Sequence, residues 1–207
     1  MMSTAPRFLY LARHGEASAD ETTLTGNGRR QAVLLGQRLR DVPLSAVHHG
    51  PLPRAVETAT LLAAELDGVP LRASEVAGDY IPHLPGRAEL PPDSADGLLG
   101  FLSEVTEEEA RLGAALAREA QAEFTGPVAG DTPRHELVVT HNFLVGWLVR
   151  AALDAPAWRW MGLNFANAAL TVIRYAPGRP PSVLCANDLR HLPDELRWTG
   201  FSPELHV

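Results

Sequence analysis

The chain has 207 residues, 45% hydrophobic and 21% charged, with 25 acidic and 18 basic side chains and a net charge of −7. A chain of this length buries roughly 70% of its unfolded surface and needs no disulfide or metal for stability, and its single cysteine, Cys185, excludes an intrachain disulfide and a cysteine metal cluster. Every basic residue is arginine, which excludes a Walker-A phosphate loop and Schiff-base chemistry, and the lack of a basic block on an acidic chain argues against nucleic-acid binding.

In chain order, the RFLYLA run at 7–12 reads as a short buried strand. A helix opens at Leu24-Thr25 and runs to about Arg40, with Gln31, Ala32, Leu35 and Leu39 at helical spacing. A second strand follows at 46–49, an Ala- and Leu-rich helix at 52–66, and a short third strand at 69–73. Residues 75–94 are rich in proline and glycine and predict an ordered loop. Helices are expected at 97–105 and 107–123, the latter opened by the capping box of Thr106 and Glu109, with an acidic first turn that suits the helix dipole. After a loop at 126–133 come the strongly apolar strand 136–140, a helix at 143–153, and two closing strands at 168–175 and 182–186 around Pro177-Gly178. Strands alternating with helices predict an α/β fold with a largely parallel sheet, built as a single domain over 1–207. No apolar run approaches the roughly 18 residues of a membrane span. Residues 1–6 have neither the basic nor the apolar region of a secretory signal, so a cytoplasmic location is expected.

The chemistry gathers at strand ends. The first strand ends in Arg13-His14-Gly15-Glu16, and the strand at 136–140 ends in His141-Asn142. Ligands in open α/β sheets bind beyond the carboxyl ends of the strands, so two histidines at two such ends can share one cleft. The segment His48-His49-Gly50-Pro51-Leu52-Pro53-Arg54 places Arg54 in the first turn of a helix. Two arginines, two histidines and a helix N-terminus suit a dianionic phosphate. Other chemistries lapse: His135 and His141 are six positions apart on a strand-like run, not four apart on a helix, and neither a nucleophile-elbow nor a dinucleotide fingerprint is present.

These blocks resemble the histidine phosphatase superfamily, also called phosphoglycerate mutase-like. Its Arg-His-Gly is Arg13-His14-Gly15, and its Leu-Thr-x-x-Gly-x-x-Gln-Ala runs from Leu24 to Ala32. Its Pro-Leu-x-Arg-Ala-x-x-Thr-Ala runs from Pro51 to Ala59, and its Val-x-Thr-His is Val138 to His141. A weaker match spans Asn187 to Leu192. The resemblance implies a three-layer sandwich, a mostly parallel sheet flanked by helices, and a phosphomonoester hydrolase in which His14 becomes a phosphohistidine. Arg13, Arg54 and His141 would bind the phosphoryl oxygens, with help from backbone N–H groups near residue 15. Gly15, Glu16, Thr25, Gly26 and Asn142 would contribute to phosphate or substrate binding. His49 stands beside the Pro-Leu pair where serine is usual, and is expected to touch substrate. The family's acid has two claimants, Glu75 and Asp79, with Asp79 favoured because it stands three before a proline at the start of the Pro-rich loop. Tyr80, Ile81 and Leu84 of that loop would cover the site and raise the acid's pKa.

Neither a metal nor any other cofactor is expected, since arginine supplies the charge. The expected partner is a small phosphorylated substrate or a phosphoprotein, with no nucleic acid and no membrane. A homodimer is a further possibility; Trp158, Trp160 and Met161 read as core or loop packing, with a substrate-pocket wall or an oligomer contact as the alternatives. The alternatives are a mutase-type phosphotransferase, disfavoured because family mutases carry longer insertions, and a catalytically weak phosphate-binding regulator.

Overall fold

The runs at 7–12 and 136–140 become neighbouring inner strands of one six-stranded sheet in the computed structural model, which describes residues 3–206. The strands are β1 (Thr4–Ala5), β2 (Arg7–Arg13), β3 (Leu44–His49), β4 (Leu71–Ala73), β5 (Val128–Ala129), β6 (Arg134–Thr140), β7 (Leu170–Tyr175) and β8 (Ser182–Asp188). The helices are α1 (Gly26–Leu39), α2 (Pro53–Ala63), α3 (Ala95–Phe101), α4 (Glu107–Phe124) and α5 (Asn142–Ala152). Sheet order is β4-β3-β6-β2-β7-β8. The first four strands run parallel, and β7 and β8 complete the sheet antiparallel. This is the mostly parallel α/β sandwich expected.

Side-chain alternation along the inner strands divides the core between two faces. Leu9, Leu11 and Val138 pack with Phe124, Leu144, Leu148 and Trp160 on the side of α4 and α5. Ala12, Leu137 and Val139 pack with Leu35, Leu39, Ala59 and Leu62 on the side of α1 and α2. With both faces covered, these strands carry apolar residues without polar alternation. Their parallel register pairs Arg13 with Thr140, so the chain leaves both strands at the same level. The residues that follow, His14 and His141, therefore start out side by side.

Several boundaries differ from the sequence reading. The helix expected at 97–105 lies at 95–101, and the one expected at 52–66 ends at Ala63. Residues 128–129, expected in a loop, pair antiparallel with residues 4–5 as a separate two-stranded ribbon, too short to leave a periodic signal. Segment 75–94 holds single 3-10 turns at Glu75–Ala77 and Arg87–Glu89. Trp160 is 1% exposed and donates from Nε1 to the His83 carbonyl at 3.0 Å. Met161 is 5% exposed, so these two residues belong to the core under α5 and offer no contact surface.

The start of α1 is pressed against the loop after β2. Thr25 caps the helix by accepting from the Gly28 N–H at 3.0 Å, and its own N–H donates to the Glu16 carbonyl. A Cβ at Gly28 would stand 2.0 Å from the Glu16 carbonyl oxygen, whereas one at Gly26 would meet nothing within 4 Å. Gly28→Ala is expected to destabilise by about 1–3 kcal/mol through overpacking. Gly26→Ala is expected to be neutral or slightly stabilising. Urea unfolding midpoints of the two variants check this.

Candidate active site

Three chain segments deliver the central groups. β2 delivers Arg13 and His14, β6 delivers His141, which is also the N-cap of α5, and the first turn of α2 delivers Arg54. Asp79 arrives from the loop after β4. These residues line one cleft of about 350 Å³ together with Glu21, Phe101, Asn142, Phe143, Asn164, Gly200 and Phe201.

His14 sits at the centre and is 6% exposed. Its Nδ1 lies 2.8 Å from the Gly15 carbonyl and its Nε2 lies 3.3 Å from Nε of Arg54. A carbonyl can only accept and a guanidinium can only donate. The pair therefore fixes the tautomer: Nδ1 carries the proton and Nε2 presents its lone pair. Burial, then His141 and Arg13 beside it, push the His14 pKa well below its ordinary value, so the ring is neutral at neutral pH. The His141 ring lies 5.0 Å from it, centroid to centroid. Burial first, then Arg54 and Arg13, lower the His141 pKa to about 3. Neither nitrogen of His141 has a hydrogen-bond partner among the described residues.

The charges are arranged around this pair. Arg54 donates from Nη2 to Oδ2 of Asp79 at 2.8 Å, and the same nitrogen lies 3.3 Å from Oε2 of Glu21. Asp79 Oδ2 also lies 3.4 Å from His141 Nδ1. Desolvation raises the Asp79 pKa, with Arg54 opposing the shift. Arg13 donates from Nη1 to the carbonyls of Phe165 and Gly200, at 2.9 and 3.2 Å, with the Phe201 ring 5.6 Å from its Cζ. Burial lowers the Arg13 pKa to about 10, which leaves it charged at neutral pH.

The loop that carries His14 is held from several sides. The His14 N–H continues the ladder to the Thr140 carbonyl at 2.9 Å. The Gly15 N–H donates to Oγ1 of Thr58 at 3.0 Å, and the Glu16 N–H to Oε1 of Gln31 at 2.8 Å. Buried Asn167 donates to the His14 carbonyl at 3.0 Å. Backbone N–H groups near residue 15 were expected to help bind phosphate, and those of residues 14–16 are already committed to protein acceptors. Thr58, Gln31 and Asn167 do this positioning. Gln31 and Thr58 stand inside the sequence blocks, while Asn167 and Glu21 lie in irregular segments that carry no pattern.

The other expected site residues fall differently. Asn142 lines the cleft and uses its Oδ1 to accept from the Phe165 N–H at 2.8 Å. Thr25 is the cap of α1, Gly26 is its exposed first residue, and neither lines the cleft. Glu16 and Gly15 shape the loop beside it. His49 is buried with Nδ1 against the Gly50 carbonyl at 2.9 Å and does not line the cleft. Glu75 lies in its 3-10 turn off the cleft, whereas Asp79 lines it. Tyr80 and Ile81, expected to close over the site, line a neighbouring cavity instead. Among the described residues no group of three or more His, Cys, Asp or Glu could hold a metal ion, and no helix is long and apolar enough to cross a membrane.

Paired histidines and arginines beyond the carboxyl ends of a mostly parallel sheet define an α/β protein equipped to hold a tetrahedral oxyanion beside a neutral imidazole nitrogen. Comparison with known proteins narrows this class. The profile of the histidine phosphatase superfamily (branch 1) matches residues 9–78 and 89–188. The chain belongs to that superfamily and is a phosphatase enzyme. The mitochondrial serine/threonine-protein phosphatase Pgam5 of Caenorhabditis briggsae is 28% identical over 205 residues, covering 95% of this chain and 69% of the relative. The chain spans about two thirds of the length of the curated relatives it matches. Among solved structures, Bacillus stearothermophilus YhfR superposes with a TM-score of 0.65 at 24% identity, over 89% of this chain and 98% of that one. The phosphoglycerate mutase of Plasmodium falciparum gives 0.61 at 19% identity, over 92% and 96%. The fold is phosphoglycerate mutase-like, as expected.

The cytoplasmic expectation is overturned, because the curated relatives are named as mitochondrial proteins. The expectation rested on a signal that residues 1–6 lack, and a missing signal does not specify a compartment.

The buried neutral histidines give stability a pH dependence. The pKa of His141 is held at about 3 and that of His191 at about 4, against about 6.5 in the unfolded chain. Between these values the unfolded chain binds more protons, so stability is full above about pH 6.5 and is lost as pH falls toward the folded values. The urea midpoint is expected to fall between pH 7.5 and pH 4.5, with a shallower fall in His141→Gln and His191→Gln.

Proposed function

We propose that the protein hydrolyses phosphomonoesters through a phosphohistidine on Nε2 of His14, and that its substrates are phosphoserine or phosphothreonine side chains of proteins. The observation that carries the reading is the state of His14: a neutral ring, held by Gly15 and Arg54, with the lone pair on Nε2. The relatives, named serine/threonine-protein phosphatases, support the substrate class.

The chemistry follows from the groups present. A phosphoryl dianion is attracted to Arg13 and Arg54, and His141 donates to it from a ring nitrogen that has no partner among the described residues. His14 Nε2 forms a bond to phosphorus as the bond to the leaving oxygen breaks. The arginines and His141 stabilise the charge on the equatorial oxygens. Asp79 supplies the proton that the leaving oxygen takes up, since a serine or threonine alkoxide is a poor leaving group. The dianion also competes with Asp79 for Arg54, which weakens the ion pair that favours the carboxylate and so promotes the acid form. In the second step Asp79 accepts a proton from water, water oxygen bonds to phosphorus, and the bond to His14 breaks. Phosphate is released and both groups return to their starting states.

His14→Ala is expected to lose about 10⁴-fold or more in rate, about 5 kcal/mol of barrier. Protein quenched during turnover of labelled substrate should hold an acid-labile, base-stable label that His14→Ala lacks. Near-normal turnover by His14→Ala would sink the reading.

Asp79→Asn separates acid catalysis from binding. In kcat/KM, which reports the first step and not the shared hydrolysis of the phosphoenzyme, it should lose about 100-fold on a phosphoserine peptide and far less on nitrophenyl phosphate, whose leaving group scarcely needs a proton. The acid acts while protonated, so the peptide rate should decline as pH rises through the elevated Asp79 pKa, and this decline should be weak for nitrophenyl phosphate. Equal losses on both substrates would remove Asp79 from the role.

A further inference from the structure

The cleft does not stop at the phosphoryl site. Asp79 and Phe143 also line a second cavity, about 560 Å³, that lies along the N-terminal half of α4. Ile81, Val105, Leu112 and Leu116 contribute its apolar surface, and Glu104 and Glu109 its charge. Leu112 is 53% exposed, and Phe101, which lines the cleft, is 61% exposed. Large apolar side chains left open among polar ones mark a surface used for binding. A cavity of this size takes a ligand of drug-like dimensions, roughly two or three residues beyond a phosphorylated side chain.

The charges around the two cavities are unequal. The positive side chains that line them, Arg13 and Arg54, are both at the phosphoryl position. The others that carry charge are Glu21, Asp79, Glu104 and Glu109. Glu109 is partly accounted for by its capping box, where Oε2 accepts from Thr106. Glu104 precedes α4, so the helix dipole does not explain it, and it makes no hydrogen bond or ion pair with a described residue. Beyond the phosphate, the surface is therefore apolar and negative. It repels a second anionic group on the substrate and complements an apolar one followed by a cation.

We propose that the groove along α4 is a peptide subsite that selects phosphorylated segments with an apolar and a basic residue beside the phosphorylated one. The proposal rests on the phosphoprotein reading above. It deepens that reading by naming which phosphopeptides are favoured and which side chains choose them.

The test compares two phosphoserine peptides with leucine on both flanks, one carrying arginines beyond the leucines and the other glutamates. The arginine peptide should have a kcat/KM about fivefold higher or more at low salt, with the ratio shrinking as salt screens the charges. Glu104→Gln should lower kcat/KM for the arginine peptide and raise it for the glutamate peptide, opposite signs that general damage to the protein cannot produce. Leu112→Ser should lower kcat/KM for the leucine-flanked peptide more than for one with serines in place of the leucines. Equal turnover of both charged peptides, or a ratio that Glu104→Gln leaves unmoved, overturns the subsite even if His14→Ala is dead on nitrophenyl phosphate. A small phosphomonoester with no charge beyond its phosphate, turned over better than both peptides, overturns it too. If His14→Ala keeps its activity, the catalytic reading fails and the groove is judged separately. Fluorescein-labelled arginine peptide should then still bind about fivefold more tightly than the glutamate peptide by anisotropy, and equal binding overturns the subsite.

Discussion

Two guanidinium groups stand against two buried imidazoles, and the site depends on those imidazoles staying neutral. Burial opposes their protonation and the arginines add to that opposition, so in the proposed reaction the same groups that attract a phosphate keep His14 able to attack it. The arrangement needs the rings to be close, and the parallel register of β2 and β6 provides that, because Arg13 and Thr140 are paired immediately before the two histidines. A slip of one residue between these strands would turn a histidine into the core.

The proposed phosphate cradle is made of side chains. In many phosphate sites, backbone N–H groups of a glycine-rich loop surround the anion. Here the N–H groups of residues 14–16 are bound to Thr140, Thr58 and Gln31, and they hold the loop in place. This division of labour agrees with an all-arginine basic complement: the forked guanidinium supplies both charge and directional donors.

Much of this was legible in the sequence because it follows short-range rules. Apolar runs and helical spacing located the main strands and helices, and Thr106 with Glu109 marked the start of α4 correctly. The residues that meet in the cleft were legible because they stand in ordered blocks at strand ends. What escaped has no local signature. Glu21 reaches Arg54 from a turn, Asn167 reaches the His14 carbonyl from an irregular stretch, and the pairing of residues 4–5 with 128–129 joins segments two residues long. Thr25 and His49 show the opposite error. Their motif positions suggested ligand contact, but their polar atoms are used for a helix cap and a local carbonyl.

Gln31 carries a consequence that reaches past the chemistry. Its Oε1 holds the Glu16 N–H, while its Nε2 donates to the Leu196 carbonyl and to Oγ1 of Thr199, both at 2.8 Å. One primary amide thus fastens the loop that carries His14 to the segment that places Gly200 and Phe201 against Arg13. Both N–H donors of the amide are used and its oxygen holds the loop, so a change in one strap is felt by the other. The loop at residue 14 and the chain near residue 200 form one mechanical unit, like two jaws on a single rivet, although 186 positions of sequence separate them.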